Sequence, residues 1–172
     1  MKLEVAELID AIRSGSRISP YEALLQLALL MESTRNVPSV PSPANQKLYD
    51  DVLGETSKRV ALKPSEHREI IDQLVAIGTA SPLEPSILWA IGKSEPEAGI
   101  PALFGILEQR EAQLPLESAC QLCIALRDLF EMRPPYEKIP IAVKSTLAAF
   151  ARSTDERLAG SARAILDAML RG

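Results

Sequence analysis

Aromatic residues are scarce in this chain, which has one Trp, three Tyr and three Phe among its 172 residues. Proteins that bind single-stranded nucleic acid usually stack the bases on several aromatic rings. The formal charge is −4, so the chain also lacks the net positive field that attracts nucleic acid or anionic lipid. These two deficits disfavour nucleic acid as a partner.

Long apolar runs are also missing. The most apolar stretch, Ala23 to Met31, is interrupted by Gln26, whereas spanning a bilayer takes about 20 apolar residues. Residues 1–10 alternate charged and apolar side chains and lack the apolar core and cleavage site of a signal peptide. We therefore expect a cytoplasmic protein with no membrane partner.

Side chains suited to catalysis or metal binding are few. His67 is the only histidine, and no nucleophile motif accompanies it, so we expect it to be structural or at the surface. Cys120 and Cys123 have the C-x-x-C spacing of a redox pair or half a zinc site, but two further zinc ligands are missing. Because the pair lies in an apolar helical run, we expect two small buried hydrophobic side chains. Asp50 and Asp51 fit a solvated helix face, and no catalytic residue, metal or cofactor is predicted.

The hydrophobic periodicity that is present is helical, and no segment alternates as a strand would. Most of the 13 prolines fall at the starts of apolar helical patterns or between them, where proline is tolerated. The sequence therefore predicts an all-α fold. The predicted helices are 3–13, 20–32, 43–53, 64–79, 84–93, 95–111, 115–132, 138–152 and 155–171.

Four Ser-x-x-Glu patterns predict helix N-termini, because the serine can cap the helix while the glutamate bonds back to the cap. They are Ser19/Glu22, Ser81/Glu84, Ser94/Glu97 and Ser153/Glu156. Pro101 lies inside the helix that Ser94 would cap. Since an interior proline removes a helical hydrogen bond, we expect a kink or a separate first turn there.

Residues 33–42 are predicted to form an extended linker, because Pro38 and Pro41 bar a helix. This linker divides the chain into residues 1–42, an N-terminal helical hairpin with a Pro-rich linker, and residues 43–172, a region of helical repeats. One domain that includes both parts is the alternative.

The sequence also contains an internal repeat. Residues 99–104 match residues 138–143 at an offset of 39, and the helix around 87–91 matches 122–126 at an offset of 35. A period near 40 with two helices per unit is typical of HEAT and armadillo solenoids. An irregular helical bundle is the alternative.

Residues 87–107 resemble the short HEAT-like repeat of the phycobilin lyase group and many other proteins, which typically reads Ala-Leu-Gly-x-Ile-Gly-Asp-Pro-x-Ala-Val-Pro-Ala-Leu. This chain has Ala90-Ile91-Gly92 without the second glycine, and Glu95-Pro96 in place of Asp-Pro. The resemblance covers about residues 82–172. It implies a short α-solenoid of HEAT-like helix pairs with an N-terminal helical cap, and it carries no catalytic residue.

Stacked helix pairs build broad surfaces, so we expect a non-enzymatic protein–protein interaction module whose partner is another protein. Arg127, which shares a helix face with Phe130, and Arg163 on the last helix are candidate contacts for an acidic partner. The alternative is that the aliphatic part of the Arg127 side chain packs at the margin of the apolar stripe and its guanidinium faces water. Tyr136, in a Pro-Pro-Tyr turn, is a third candidate contact, whereas Trp89 is expected in the core.

The resemblance also implies a second function. Some proteins with this repeat act as bilin lyases, or as chaperones for the chromophore or the phycobiliprotein. In that case Arg127 and Arg163 would bind the propionates of a bilin. The oligomeric state is left open.

Overall fold

The computed structural model describes residues 3–15, 17–35, 43–54, 61–78, 81–110, 113–132 and 139–170, with side chains in 43–54 described for Lys47 and 49–54. Within these ranges the chain forms nine α-helices and no strand, which confirms the all-α prediction. No helix in the same ranges is both long and apolar enough to cross a membrane.

The nine helices follow the predicted order, and most of their ends lie within two residues of the predicted ends. They are α1 (Leu3–Ser14), α2 (Pro20–Ser33), α3 (Pro43–Leu53), α4 (Pro64–Gly78), α5 (Glu84–Ile91), α6 (Pro96–Arg110), α7 (Leu116–Met132), α8 (Ile141–Phe150) and α9 (Glu156–Leu170). The predicted linker lies mostly outside the described residues, apart from the turn at Thr34 and Arg35.

The serine half of the first predicted capping box is confirmed. Ser19 precedes α2, its Oγ accepts a hydrogen bond from the Glu22 N–H at 3.2 Å, and Pro20 is the first helical residue. The helix that follows is apolar nearly all round, and it is buried because α1, α3 and α5 all pack against it. Leu24, Leu27 and Leu30 are each at most 1% exposed.

The predicted capping boxes at Ser81 and Ser94 are wrong. Leu83 precedes α5 without a side-chain cap, and the Oγ of Ser81 accepts from the Leu83 N–H at 3.1 Å inside the preceding turn. The Oγ of Ser94 donates to the Ile91 carbonyl at 2.7 Å, so this serine closes the end of α5, and α6 begins only at Pro96. Both serines stabilise turns between helices.

The box at Ser153 is also wrong by two residues. α9 begins at Glu156, and Asp155 is its cap, because Asp155 Oδ1 accepts from the N–H groups of Arg157 and Leu158, both at 3.0 Å. The bonds to the backbone, that from Leu158 first, lower the pKa of the Asp155 carboxyl. A carboxylate at this end also suits the positive end of the helix dipole.

Pro101 lies inside α6, which runs as one helix from Pro96 to Arg110, and no separate first turn precedes it. Its ring is exposed, so it faces solvent rather than a packed helix. Pro140, which the repeat aligns with Pro101, instead precedes α8 as its N-cap residue. The two aligned prolines therefore occupy different positions in their helices.

Contacts between helices run in two series. One series is α2, α5, α7 and α9, each in contact with the next, and the other is α1, α4, α6 and α8. The series are joined by contacts of α1 with α2, α4 with α5, α6 with α7 and α8 with α9, while α3 packs on α2. The buried apolar side chains form one cluster that runs from Val5 in α1 to Ile165 in α9.

α5 and α7 approach each other closely at Gly92, directly after the end of α5. A Cβ on Gly92 would lie 2.7 Å from the Cβ of Ala125 and 3.0 Å from its Cα. We therefore expect Gly92→Ala to lower the free energy of unfolding by about 2 kcal/mol, because the two helices must separate. Urea-induced unfolding followed by circular dichroism measures this loss.

Gly160→Ala is the matched control for this substitution. Gly160 lies in α9, is exposed, and a Cβ there would have no atom within 4 Å. This variant is expected to gain up to about 1 kcal/mol from helix propensity alone. Equal effects of the two substitutions would contradict a close approach at Gly92.

Candidate functional site

A groove of about 280 Å³ lies between α7 and α9, beside the predicted contact residue Arg127. Its lining residues are Arg127, Phe130, Glu131, Ala164, Ile165 and Ala168. Phe130 and Ile165 are buried, so they make the base of the groove apolar. The two alanines leave it open because their side chains are small. We call this feature the α7–α9 groove.

Arg127 is half-exposed and is held within its own helix by two carboxylates. Its Nη2 lies 3.2 Å from Asp128 Oδ1, and its Nε lies 3.8 Å from Glu131 Oε1. The Nε atom is itself buried and makes no hydrogen bond to any described residue. The stem of Arg127 therefore packs at the rim of the groove, and its charge is shared with two acidic neighbours.

Arg163 is bound to a backbone carbonyl of its own chain. Its Nε and Nη2 donate to the Ala151 carbonyl at 3.2 and 3.0 Å, so the guanidinium caps the C-terminal end of α8. It is not among the described residues that line the α7–α9 groove. Tyr136 lies outside the described residues. The roles of Arg127, Arg163 and Tyr136 as partner contacts remain predictions.

Among the described residues, an extensive polar cluster centres on Arg35, which was not predicted from the sequence. Its side chain is 5% exposed. Its Nε donates to the Lys93 carbonyl at 2.8 Å, its Nη2 to the Gly92 carbonyl at 2.6 Å, and its Nη1 to Met132 Sδ at 3.1 Å. One guanidinium thus joins the C-terminal ends of α2, α5 and α7. Burial lowers the pKa of Arg35, and the Glu32 carboxylate opposes this.

Glu32 extends this cluster towards α3 and α5. Its Oε1 pairs with Lys93 Nζ at 3.0 Å, and its Oε2 accepts from the Tyr49 hydroxyl at 2.7 Å. Burial raises the pKa of Tyr49, and the bond to Glu32 raises it further. Lys93 Nζ also lies 5.8 Å from the ring centroid of Trp89, within cation–π range. Trp89 packs against the core but is only half-buried, so the expectation of a core residue holds in part.

His67 is fully buried, and both of its ring nitrogens are engaged. Nδ1 accepts from the Glu95 N–H at 3.2 Å, and Nε2 lies 3.2 Å from Thr34 Oγ1. Because Thr34 Oγ1 donates to the Leu30 carbonyl at 2.9 Å, Nε2 carries the proton. Burial, together with the charge of Arg35, lowers the pKa of His67 to about 4. The neutral ring therefore ties α4 to the segments after α2 and α5, which is a structural role.

Cys120 and Cys123 are buried, free thiols. Burial raises the pKa of both, that of Cys123 to about 12, which disfavours the reactive thiolate. This confirms the expectation of small buried hydrophobic side chains. Asp51 is exposed and pairs with Lys47. Over the part of the chain that the structure describes, no three metal-ligating side chains cluster.

Glu84 forms a second buried polar link. Its Oε2 accepts from the Ser118 hydroxyl at 2.6 Å, and its Oε1 pairs with Arg110. The carboxylate therefore joins the beginning of α5, the end of α6 and the beginning of α7. The sequence assigned Glu84 to a capping box, whereas its side chain bonds across helices.

No family model, curated protein or solved structure matches this chain. The resemblance to HEAT-like repeats therefore depends on residues 87–107 and their partial copy.

Proposed function

We propose that this chain is a protein-interaction module without catalytic activity, built as a short stack of HEAT-like helix pairs behind an N-terminal helical cap. The order of the helix contacts is the observation that carries the proposal. The repeat aligns α5 with α7 and α6 with α8, and each aligned helix contacts its counterpart. Contacts between equivalent helices of successive units are typical of a repeat stack.

The engagement of the reactive side chains also supports this function. His67 uses both ring nitrogens to hold backbone and side-chain groups, and its pKa of about 4 keeps it neutral near pH 7. Cys120 and Cys123 are buried, and their pKa values are raised. These three side chains contribute to the packing of the fold. The outer faces of the two helix series are therefore left to bind a partner.

Photo-crosslinking from each series tests the proposal. A photoreactive amino acid replaces exposed Ala164 in α9, from the first series, or exposed Ala149 in α8, from the second. We expect one discrete protein adduct from one of the two positions in cells, and none without irradiation. If neither position yields a protein adduct and the purified chain turns over a small molecule, the proposal is wrong.

The bilin alternative remains a prediction, and the described geometry does not favour it. The two arginines that would hold the propionates do not line one cavity, since Arg163 binds the Ala151 carbonyl. The α7–α9 groove, at about 280 Å³, is also just below the roughly 300 to 1,000 Å³ of most small-molecule sites. An absorbance shift on mixing with a bilin would support the alternative.

A further inference from the structure

The exposed side of α1 is acidic. Arg13 donates a hydrogen bond to Gln73 of α4, so the Arg13 side of α1 faces α4. Glu4 lies nine positions before Arg13, and at about 100° per residue this places it on the opposite side of the helix. Glu7 and Asp10 follow along α1, and all three carboxylates are exposed. The side of α1 that faces away from the core therefore carries a row of negative charges.

Two grooves follow this acidic side of α1, with volumes of about 250 and 380 Å³. Leu8, Ala11 and Ile18 give the larger share of apolar surface in the first groove. The linings of the two grooves together contain the three carboxylates of α1 and one cation, Arg17. The negative charges therefore outnumber the positive charge, and apolar side chains lie beside them.

The exposed side of α8 has the opposite charge. Lys144 and Arg152 are exposed, and residues 139–154 contain no Asp or Glu. The next carboxylate, that of Asp155, accepts hydrogen bonds from the backbone of α9. α9 itself packs on α8 and carries two cations and two carboxylates, so its own charges balance. The positive charge of α8 is therefore not cancelled by its neighbour.

α1 and α8 also occupy equivalent places in the fold. They are the first and last described helices of one series, in which α1 contacts α4, α4 contacts α6 and α6 contacts α8. Each begins with an exposed apolar residue, since Leu3 is 73% and Ile141 83% exposed. The exposed residues that follow in α8 include Ser145 and Ala149, whose small side chains allow another helix to come close. Terminal units of a repeat stack usually have polar outer faces, so these exposed apolar residues suit a further helix.

We infer that a second copy of the chain docks head to tail, with α8 of one copy packed in parallel on α1 of the next. Charge complementarity selects this occupant, because the acidic side of α1 and the basic side of α8 belong to the same chain. With Ile141 beside Leu3, Lys144 lies level with residues 4–7, and Arg152 lies about one turn beyond Asp10. The two surfaces differ, so the contact is heterologous and each added copy can repeat it.

Sedimentation equilibrium of the purified chain tests this self-association. We expect the weight-average mass to rise with protein concentration to more than twice the mass of one chain. Association is expected to be at least tenfold weaker in about 1 M salt than in about 0.1 M salt, because salt screens the charges of the two surfaces. A chain that stays monomeric, or a mass that stops at two copies, overturns the inference.

Glu7→Lys/Asp10→Lys and Lys144→Glu/Arg152→Glu locate the contact. Each pair of substitutions brings like charges together, so we expect either variant alone to associate at least tenfold more weakly than the wild type. In an equal mixture the reversed α1 of one variant meets the reversed α8 of the other, and the two unchanged surfaces also match. The mixture is therefore expected to recover the association of the wild type. A mixture that associates no better than its components contradicts the inference.

Asp72→Lys/Glu108→Lys is the matched control for the acidic surface. Both residues are exposed, they lie in α4 and α6 of the same series, and the double substitution changes the net charge by the same amount. We expect its association to differ less than twofold from that of the wild type. Circular dichroism verifies that every variant is folded. A loss as large as that of the α1 variant would show that overall charge governs association, and the inference would be wrong.

This inference goes beyond the proposed function, because it uses the stack of helix pairs but needs no other protein. The two therefore fail separately. If the purified chain stays monomeric, the inference fails, while a crosslinked adduct with a different protein in cells still supports the proposed function. An adduct from Ala149 that consists of two copies of this chain supports the inference alone, because Ala149 lies on the exposed side of α8.

Discussion

Replacing Arg35 with methionine is expected to lower the free energy of unfolding by about 3 kcal/mol. Removing one partner of a buried charged network typically has an effect of this size. The guanidinium is buried and donates to the carbonyls of Gly92 and Lys93, which follow the end of α5. Methionine fills the volume but donates no hydrogen bond. The two carbonyls then lose a charged donor at the negative end of the α5 dipole, and Glu32 loses a neighbouring cation.

Arg163→Met is the matched control, because Arg163 also donates twice to a carbonyl after a helix end, that of Ala151. Arg163 is exposed, so water can replace its bonds, and we expect a loss below about 1 kcal/mol. Arg35→Lys keeps the charge but not the planar fork, so it should recover only part of the stability. Urea unfolding of the three variants measures the losses. Similar losses for Arg35→Met and Arg163→Met would show that the buried hydrogen bonds of Arg35 stabilise the fold no more than the exposed hydrogen bonds of Arg163.

The helices were predictable because each depends on a local pattern. The apolar stripe of α4, for example, includes Ile70, Ile71 and Leu74, and all three side chains are buried. Three of the four capping boxes were not predicted correctly, because a serine followed three residues later by a glutamate also fits other turns. Asp155 caps α9 in place of Ser153, and its single carboxylate satisfies two N–H groups. Such a choice depends on backbone geometry, which a three-residue spacing does not determine.

The polar links between helices were harder to predict than the helices. Arg35 lies 57 residues before Gly92 and 97 before Met132 in the sequence, and no local pattern joins these positions. Glu84 likewise reaches Ser118, which is 34 residues away. One signal was present: a basic residue directly after the last turn of a helix is well placed to bind carbonyls at helix ends. That signal does not say which helix end it binds.

The cluster around Arg35 bears on the predicted division after residue 42. Arg35 belongs to the N-terminal hairpin, and its bonds reach α5 and α7. α2 also packs along α5 through buried leucines. The boundary itself stays a prediction. Within the described residues, however, the hairpin and the segment from α4 onward share one apolar core.

His67 is expected to make the stability of the fold depend on pH below about 6.5, the ordinary pKa of histidine. In the folded state burial lowers the pKa of His67 to about 4, and the nearby Arg35 acts in the same direction, against Glu66. Protonation would also give Nδ1 a hydrogen that points at the Glu95 N–H. Between these two pKa values the unfolded chain therefore binds a proton that the folded chain does not.

The sign follows from this difference in bound protons. The free energy of unfolding falls as the pH falls, by about 1 kcal/mol at pH 5.5 and about 2 to 3 kcal/mol at pH 4.5, relative to pH 8. Above about pH 8 the contribution is constant, because the histidine is neutral in both states. Carboxylates also titrate near pH 4, so the histidine contribution has to be measured against a variant that lacks it.

His67→Gln is that variant, because its amide can still accept from the Glu95 N–H and donate to Thr34, but it cannot titrate. Urea unfolding at pH 8, 6.5, 5.5 and 4.5 gives the free energy of both proteins. We expect the wild type to lose about 1 kcal/mol more than the variant between pH 8 and 5.5. Since the chain has one histidine, its NMR signal provides a direct check. An imidazole in the folded protein that titrates near pH 6.5 would show that the ring is not held neutral between α4, Thr34 and Glu95.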